Sequence, residues 1–410
     1  MHFLVYPLSL LMLIASLTVS LAQAPVPDTE TGAFNPLVFG LQLAQEPDPQ
    51  QRLQLIDGAL DRLQAQTDPD PKVVLEEGAQ IVFDPNHAIP MPMAGHVTSS
   101  YYSPTLETGF ALAVVKGGHQ RMGETVYLDY DADALYAEYN NRGKVPEFEA
   151  IAADHAAQSE RLRADATNGR IDLAYGDGTR DRFDLFLPDT PDPPLHIFIH
   201  GGYWQWNDKE SYAYLARPFL AAGIGFANLE YTLCPDITLA ELVDQVRCAI
   251  GYLWKNGAAL GYDRDRIQVS GHSAGGHLAG VVATTDWPAF DATLPRDPVK
   301  SVMPISGVFD LEPIRHTPIG DPLGLDAAGA AALSPMFAPP RTGAEFLVAL
   351  GGHEGREFHR QAEAFAANCR AHGAQVRIES VPGANHFTVL ESLHAPDGVL
   401  FEQARKMLGA

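Results

Sequence analysis

Basic residues are scarce in this 410-residue chain: 28 Lys and Arg stand against 51 Asp and Glu, a formal net charge of −23. So acidic a surface repels phosphate backbones and anionic headgroups, which argues against nucleic acid and anionic membrane surfaces as partners. Cysteine is scarcer still. Cys234, Cys248 and Cys369 form an odd, widely spaced set that is neither a disulfide framework nor a zinc signature. They read as small buried hydrophobes. No H-E-x-x-H or H-x-H spacing occurs, so neither a metal nor another cofactor is expected.

Long apolar runs are missing too, except at the start. Residues 1–24, MHFLVYPLSLLMLIASLTVSLAQA, carry no charged side chain and end in small residues. The run Leu8–Leu21 matches the hydrophobic region of an export signal and falls short of the ~20 residues of a membrane span. The expectation is a signal peptide cut after Ala22 or Ala24 and a secreted or periplasmic protein. The want of Lys or Arg near the start leaves an uncleaved anchor as the competing reading.

What is present is ordinary globular material, 46% apolar, in a chain long enough for one large domain plus an extra segment. Residues 25–123 have no strong periodicity beyond a helix candidate at 48–66, where Leu53, Ile56, Leu60 and Leu63 recur at helical spacing. They are expected to form an N-terminal extension, whose role the sequence does not assign. From about Thr125 strand and helix signals alternate, giving a domain over 124–410. Buried strands are expected at 195–199, 223–228, 267–270, 301–305, 346–350 and 376–380, with an amphipathic helix at 239–254. Such alternation predicts an α/β fold with a mostly parallel sheet and helices on both faces. In these sheets, sites gather at the carboxyl ends of the strands.

Four of those ends carry chemistry. The run 267–270 leads into Gly271-His272-Ser273-Ala274-Gly275, a G-x-S-x-G turn between strand and helix. Glycines let the backbone pass closely, so that the Ser273 hydroxyl projects as a nucleophile while the Ala274 N–H faces a developing oxyanion. The run 195–199 ends in HGGYWQW, where Gly201 and Gly202 are the remaining oxyanion donors. His200 reads as a residue that braces this loop. Tyr203 is a further candidate donor and a substrate contact, while Trp204 and Trp206 have a bland reading as core and a second as an aromatic wall for a flat substrate. After 376–380 comes VPGANHF, placing His386 where an α/β-hydrolase keeps its general base, with Phe387 beside it as a substrate contact. The order Ser, acid, His points to Glu354 in FLVALGGHEGREF as the orienting acid, with Asp310 after 301–305 as its rival.

The segments HGGYWQ, VDQV, GHSAGGHLA, DW, SGVFDLEPI, EFHRQ and NHF occur in the order found in kynurenine formamidases (arylformamidases), and YNNRGKVPEF resembles the start of bacterial relatives. The resemblance covers about 125–410. It implies an α/β-hydrolase that cleaves N-formyl-kynurenine or related aryl formamides and esters without a metal. It also implies Ser273 as nucleophile, His386 as base and the Gly201–Gly202 turn as oxyanion donor. The family usually carries Asp in a G-x-H-D turn where this chain has Glu354. The alternatives are a general secreted carboxylesterase and a non-catalytic binding protein on the same scaffold. The expected partner is a small-molecule substrate; the oligomeric state is open.

Overall fold

Strands buried on both faces must be apolar throughout, and the apolar runs of this chain form one eight-stranded sheet. Its strands are β1 (Gly169–Ala174), β2 (Arg182–Phe186), β3 (Leu195–Ile199), β4 (Gly225–Leu229), β5 (Ile267–His272), β6 (Ser301–Ile305), β7 (Glu345–Gly351) and β8 (Val376–Val381). They lie in the order β8-β7-β6-β5-β3-β4-β2-β1. Strands β3 to β8 pair in parallel, and β1 and β2 add an antiparallel edge. That edge was not expected from the sequence. Its residues are only partly buried in β1, so no continuous apolar run marks it.

This computed structural model describes residues 132–165, 169–341 and 343–410, together with strands at 2–4, 80–82, 95–103, 108–115 and 125–129. The chain divides into two compact units, Met1–Asp131 and Ala132–Ala410. In the first, the five strands form an antiparallel sheet that includes the hairpin Gly95–Ser103 with Thr108–Val115. Residues 125–129 pair within this sheet. The helix expected at 48–66 lies outside the described residues, as does the export segment apart from His2–Leu4.

In the second unit the longer helices are α1 (Ala132–Tyr139), α2 (Phe148–Asp165), α3 (Leu239–Leu260), α4 (Ala274–Thr284), α5 (Arg356–Ala371) and α6 (Val399–Met407). Helix α3 starts where Thr238 and Glu241 form a reciprocal capping box and stops at Gly261, whose φ of 92° ends the helix. It therefore outruns the expected 239–254 by six residues. On β3, alternation sends Ile197 to one face of the sheet and Phe198 to the other, and both are fully buried.

The face holding Phe198 is a core of Phe186, Phe219, Phe226, Met303 and Leu347 closed by Leu400, Phe401 and Ala404 of α6. The Phe401 ring meets Phe219 edge-on with centroids 5.1 Å apart. Phe401→Ala should cost about 3–5 kcal/mol through lost burial and the cavity left behind. Urea unfolding should read this as a lower midpoint with an unchanged slope.

Candidate active site

Ser273 ends β5 and begins α4, in the strained conformation φ 58°, ψ −116°. The turn is possible only because the chain packs backbone against backbone here. A Cβ on Gly275 would lie 2.0 Å from the Ile199 carbonyl oxygen, so no other residue fits. Ala274 is the first residue of α4, and its N–H is one of the donors a helix start leaves unbonded within itself. Gly201 lies against the nucleophile, since a Cβ built on it would come 3.1 Å from Ser273 Cβ.

The loop that follows β3 is strained. Gly202, Tyr203, Trp204 and Asn207 all have positive φ, at 119°, 47°, 61° and 74°. Backbone of this kind persists only where surrounding contacts over-determine it. Here Asn207 Nδ2 donates to the Gly201 carbonyl at 3.2 Å, Gln205 Nε2 to the Ile319 carbonyl at 2.8 Å, and Tyr203 Oη to the Tyr139 carbonyl at 2.6 Å. His200 braces the loop from below. It hydrogen-bonds through Nδ1 to the Gly201 carbonyl and through Nε2 to Glu230, and its ring stacks on Tyr231 at 4.2 Å. Burial would raise the Glu230 carboxyl, but the hydrogen bond and charge of His200 and the charge of Arg180 bring it down to about 2.

His386 sits in the loop after β8. Asn385 pins that loop, its Oδ1 accepting from the N–H groups of Phe387 (2.9 Å) and Thr388 (3.0 Å). The imidazole lies among Phe358, Phe387 and His272, with centroids 4.8, 5.4 and 4.7 Å away. His386 Nδ1 donates to Glu354 Oε2 at 2.7 Å. A carboxylate only accepts, so this bond puts the ring proton on Nδ1 and leaves Nε2 as a base. Ser273 and His386 line the same cavity.

Of the two carboxylates, Glu354 is the one that reaches His386. Its side chain is wholly buried, and Oε1 accepts from Ser306 Oγ at 2.5 Å and the Gly351 N–H at 2.6 Å. Burial pushes the carboxyl's pKa up, but the charge and hydrogen bond of His386 and the donors Ser306 and Gly351 outweigh it. The carboxyl stays below its ordinary value, and hence ionised. Asp310 is also fully buried but faces Arg360, 3.5 Å away, and accepts from the Glu312 N–H. Burial raises it to about 7, Arg360 working against that rise. Asp310 is held by a different network. Arg360 pairs with Glu357, Glu357 accepts from Tyr139 Oη at 2.9 Å, and Gln361 Oε1 accepts from the N–H groups of Phe309 and Asp310.

The cavity has a volume of ≈ 330 Å³. Gly202, Tyr203 and Phe387 line it as expected, and so does Trp206. Trp204 does not. Its indole is fully buried and donates to His277 Nδ1 at 3.2 Å, while His277 Nε2 donates to the Leu333 carbonyl. The positive φ of Trp204 turns the ring inward, which no pattern of aromatic spacing reveals. His272 lines the cavity, and its Nε2 donates to the His386 carbonyl at 2.6 Å. Burial and the nearby His386 lower its pKa to about 3, so it is neutral. Sequence reasoning assigned no role to Ser306, Tyr139, Arg142 or Phe148. All four fall within the segments SGVFDLEPI and YNNRGKVPEF or at their edge, and that membership was the available signal.

A family model described as BD-FAE matches residues 183–321. Another, described as the glycine cleavage T-protein C-terminal barrel domain, matches 62–139, mostly in the first unit. Kynurenine formamidase of Danio rerio is 30% identical over 258 residues, covering 61% of this chain and 85% of that protein. That of Salmo salar is 30% identical, covering 58% and 82%. The chain belongs to the kynurenine formamidase family. Among solved structures, one from Silicibacter sp. TM1040 is 31% identical with a TM-score of 0.59, covering 67% of this chain and 98% of that one. Esterase B of Lactobacillus rhamnosis, at 18% identity and TM-score 0.51, shares the fold.

The two buried carboxyls make opposite predictions. Glu354→Gln should lower kcat by about 10⁴, the loss seen when a serine protease loses its orienting carboxylate. Asp310→Asn should leave most turnover in place. For stability, Asp310 has an ordinary value of 3.8 and about 7 in the fold. Between these values the folded chain holds a proton that the unfolded chain has released. The stabilisation present below about pH 4 is therefore lost as pH rises towards 7. Asp310→Asn cannot titrate, so its stability relative to wild type should improve across that window in urea titrations.

Proposed function

We propose that this protein is a serine hydrolase of small aryl formamides, N-formyl-kynurenine-like in outline, and of short-chain esters. The observation that carries the reading is the buried Glu354 on His386 Nδ1, with Ser273 on its strained turn in the same cavity. Its relatives carry formamidase and esterase names, which supports the reaction class.

Ser273 Oγ attacks the carbonyl carbon and its proton passes to His386 Nε2. The resulting imidazolium is stabilised by Glu354. The N–H groups of Gly202 and Ala274, with Gly201 shaping the turn, hold the tetrahedral oxyanion. Collapse breaks the C–N bond of a formamide or the C–O bond of an ester, and His386 returns its proton to the leaving group. Water then attacks the acyl-enzyme, giving its proton to His386. Release of formate, or of the ester's acid, restores the Ser273 hydroxyl.

Tyr203, Trp206 and Phe387 form the aromatic wall for the substrate. The enzyme is exported, on the evidence of residues 1–24. Cleavage there would remove the strand His2–Leu4, and intact-mass measurement of the protein recovered outside the cytoplasm checks it. Ser273→Ala should reduce turnover of a p-nitrophenyl ester by about 10⁶. Near-normal turnover would sink the mechanism. A formamide preference predicts that rates on an N-formyl anilide and on acetate esters are high and fall for acyl chains beyond one or two carbons. A flat profile across longer chains would instead make the protein a general carboxylesterase.

A further inference from the structure

The cavity wall departs from the rest of the molecule in charge. Although the chain carries 51 Asp and Glu, none of the described residues lining the cavity is acidic, and Arg142 is the one Lys or Arg among them. In a protein of net charge −23, a site for a neutral or cationic compound has no need of this arrangement. The guanidinium is also held in place. Its Cζ lies over the Phe148 ring at 4.7 Å and over the Trp206 ring at 5.2 Å.

The backbone beneath Arg142 is a single helical turn, Asn141–Lys144, capped by Asn140, whose Oδ1 accepts from the Gly143 N–H at 3.0 Å. On its flanks, Asn141 Nδ2 donates to Tyr203 Oη and Lys144 Nζ to the Glu138 carbonyl. Among the described residues no carboxylate pairs with Arg142. Asp208, which acts with Arg142 on Tyr212, is committed to its own helix, where Oδ1 accepts from the Ser211 N–H and hydroxyl. A guanidinium held against aromatic rings keeps its fork of N–H donors for a planar anion.

We propose that Arg142 is the specificity-determining residue of this site and that it selects aryl substrates bearing a carboxylate on the leaving group. This rests on the hydrolase reading above. The scissile carbonyl sits at Ser273, the ring lies against the aromatic wall, and the anionic group reaches Arg142 at the other side of the same cavity. Phe148 and Trp206 orient the cation, so the charge is recognised without mobile side chains having to order first.

The test uses two matched pairs of compounds, N-formyl anilides and phenyl acetates, each with a para carboxymethyl or a para carboxamidomethyl group. For the wild type, kcat/KM should favour the carboxylate by about 10- to 100-fold within each pair, the worth of hydrogen bonds to a charged group. Arg142→Gln should bring that ratio towards one. Arg142→Lys, which keeps the charge but not the fork, should recover part of it. A wild-type ratio near one, or a ratio unchanged in Arg142→Gln, overturns the proposal. Inert formamides alongside cleaved acetates would refute the formamide reading alone, and the acetate pair would still report on Arg142.

Discussion

Three strand ends of this sheet approach one another at backbone distance, and the site exists because of that approach. A Cβ on Gly275 would overlap the Ile199 carbonyl, and one on Gly276 would come 2.7 Å from Gly307 Cα. The start of α4 is thereby pressed between the ends of β3 and β6, which fixes where Ser273 stands and which loops face it. Gly201 comes from the β3 side, and Ser306, one residue past β6, comes from the other. A side chain in either gap would part the loops and separate Ser273 from both the Gly201–Gly202 turn and Ser306.

Charge placement then separates two carboxyls that the same fold buries. Both suffer the cost of leaving water, but their partners differ. Glu354 receives donors from His386, Ser306 and Gly351, so the ionised form wins. Asp310 has a more distant guanidinium, and Arg360 already serves Glu357. A raised carboxyl shared within Tyr139, Glu357, Arg360 and Gln361 does structural work. It ties α1 to α5 through Tyr139, and Phe358 of that same α5 packs on His386. The segments SGVFDLEPI and EFHRQ are thus two halves of one buried polar network.

Part of the cavity wall around Ser273 comes from residues that precede the sheet. Tyr136 and Trp206, the two large apolar side chains that remain exposed among the described residues, both lie on the cavity. Helices α1 and α2, with the turn between them, bring Tyr139, Arg142 and Phe148 to it. Strand ends thus supply Ser273 and His386 to the cavity, and a segment with no part in the sheet supplies part of its wall.

Much of this was legible in the chain itself. Strands buried on both faces are unbroken apolar runs, so β3 and β6 were found to the residue, and β4, β5, β7 and β8 within two. The turns at Ser273 and Gly201–Gly202 announce themselves because their backbone tolerates almost nothing but glycine. Antiparallel β1 and β2 were missed, since β1 is partly exposed and the buried β2 is interrupted by Asp184. Sequence order favoured Glu354 but left Asp310 as its rival, and spacing made Trp204 and Trp206 alike. Only the folded chain separated them, because burial, hydrogen-bond partners and the direction of a side chain depend on neighbours dozens of residues away. The positive φ of Trp204 sends its indole to His277, and the reach of Glu354 to His386 spans 32 residues. Local pattern determined which residues sit at the strand ends, and long-range packing decided which of them meet.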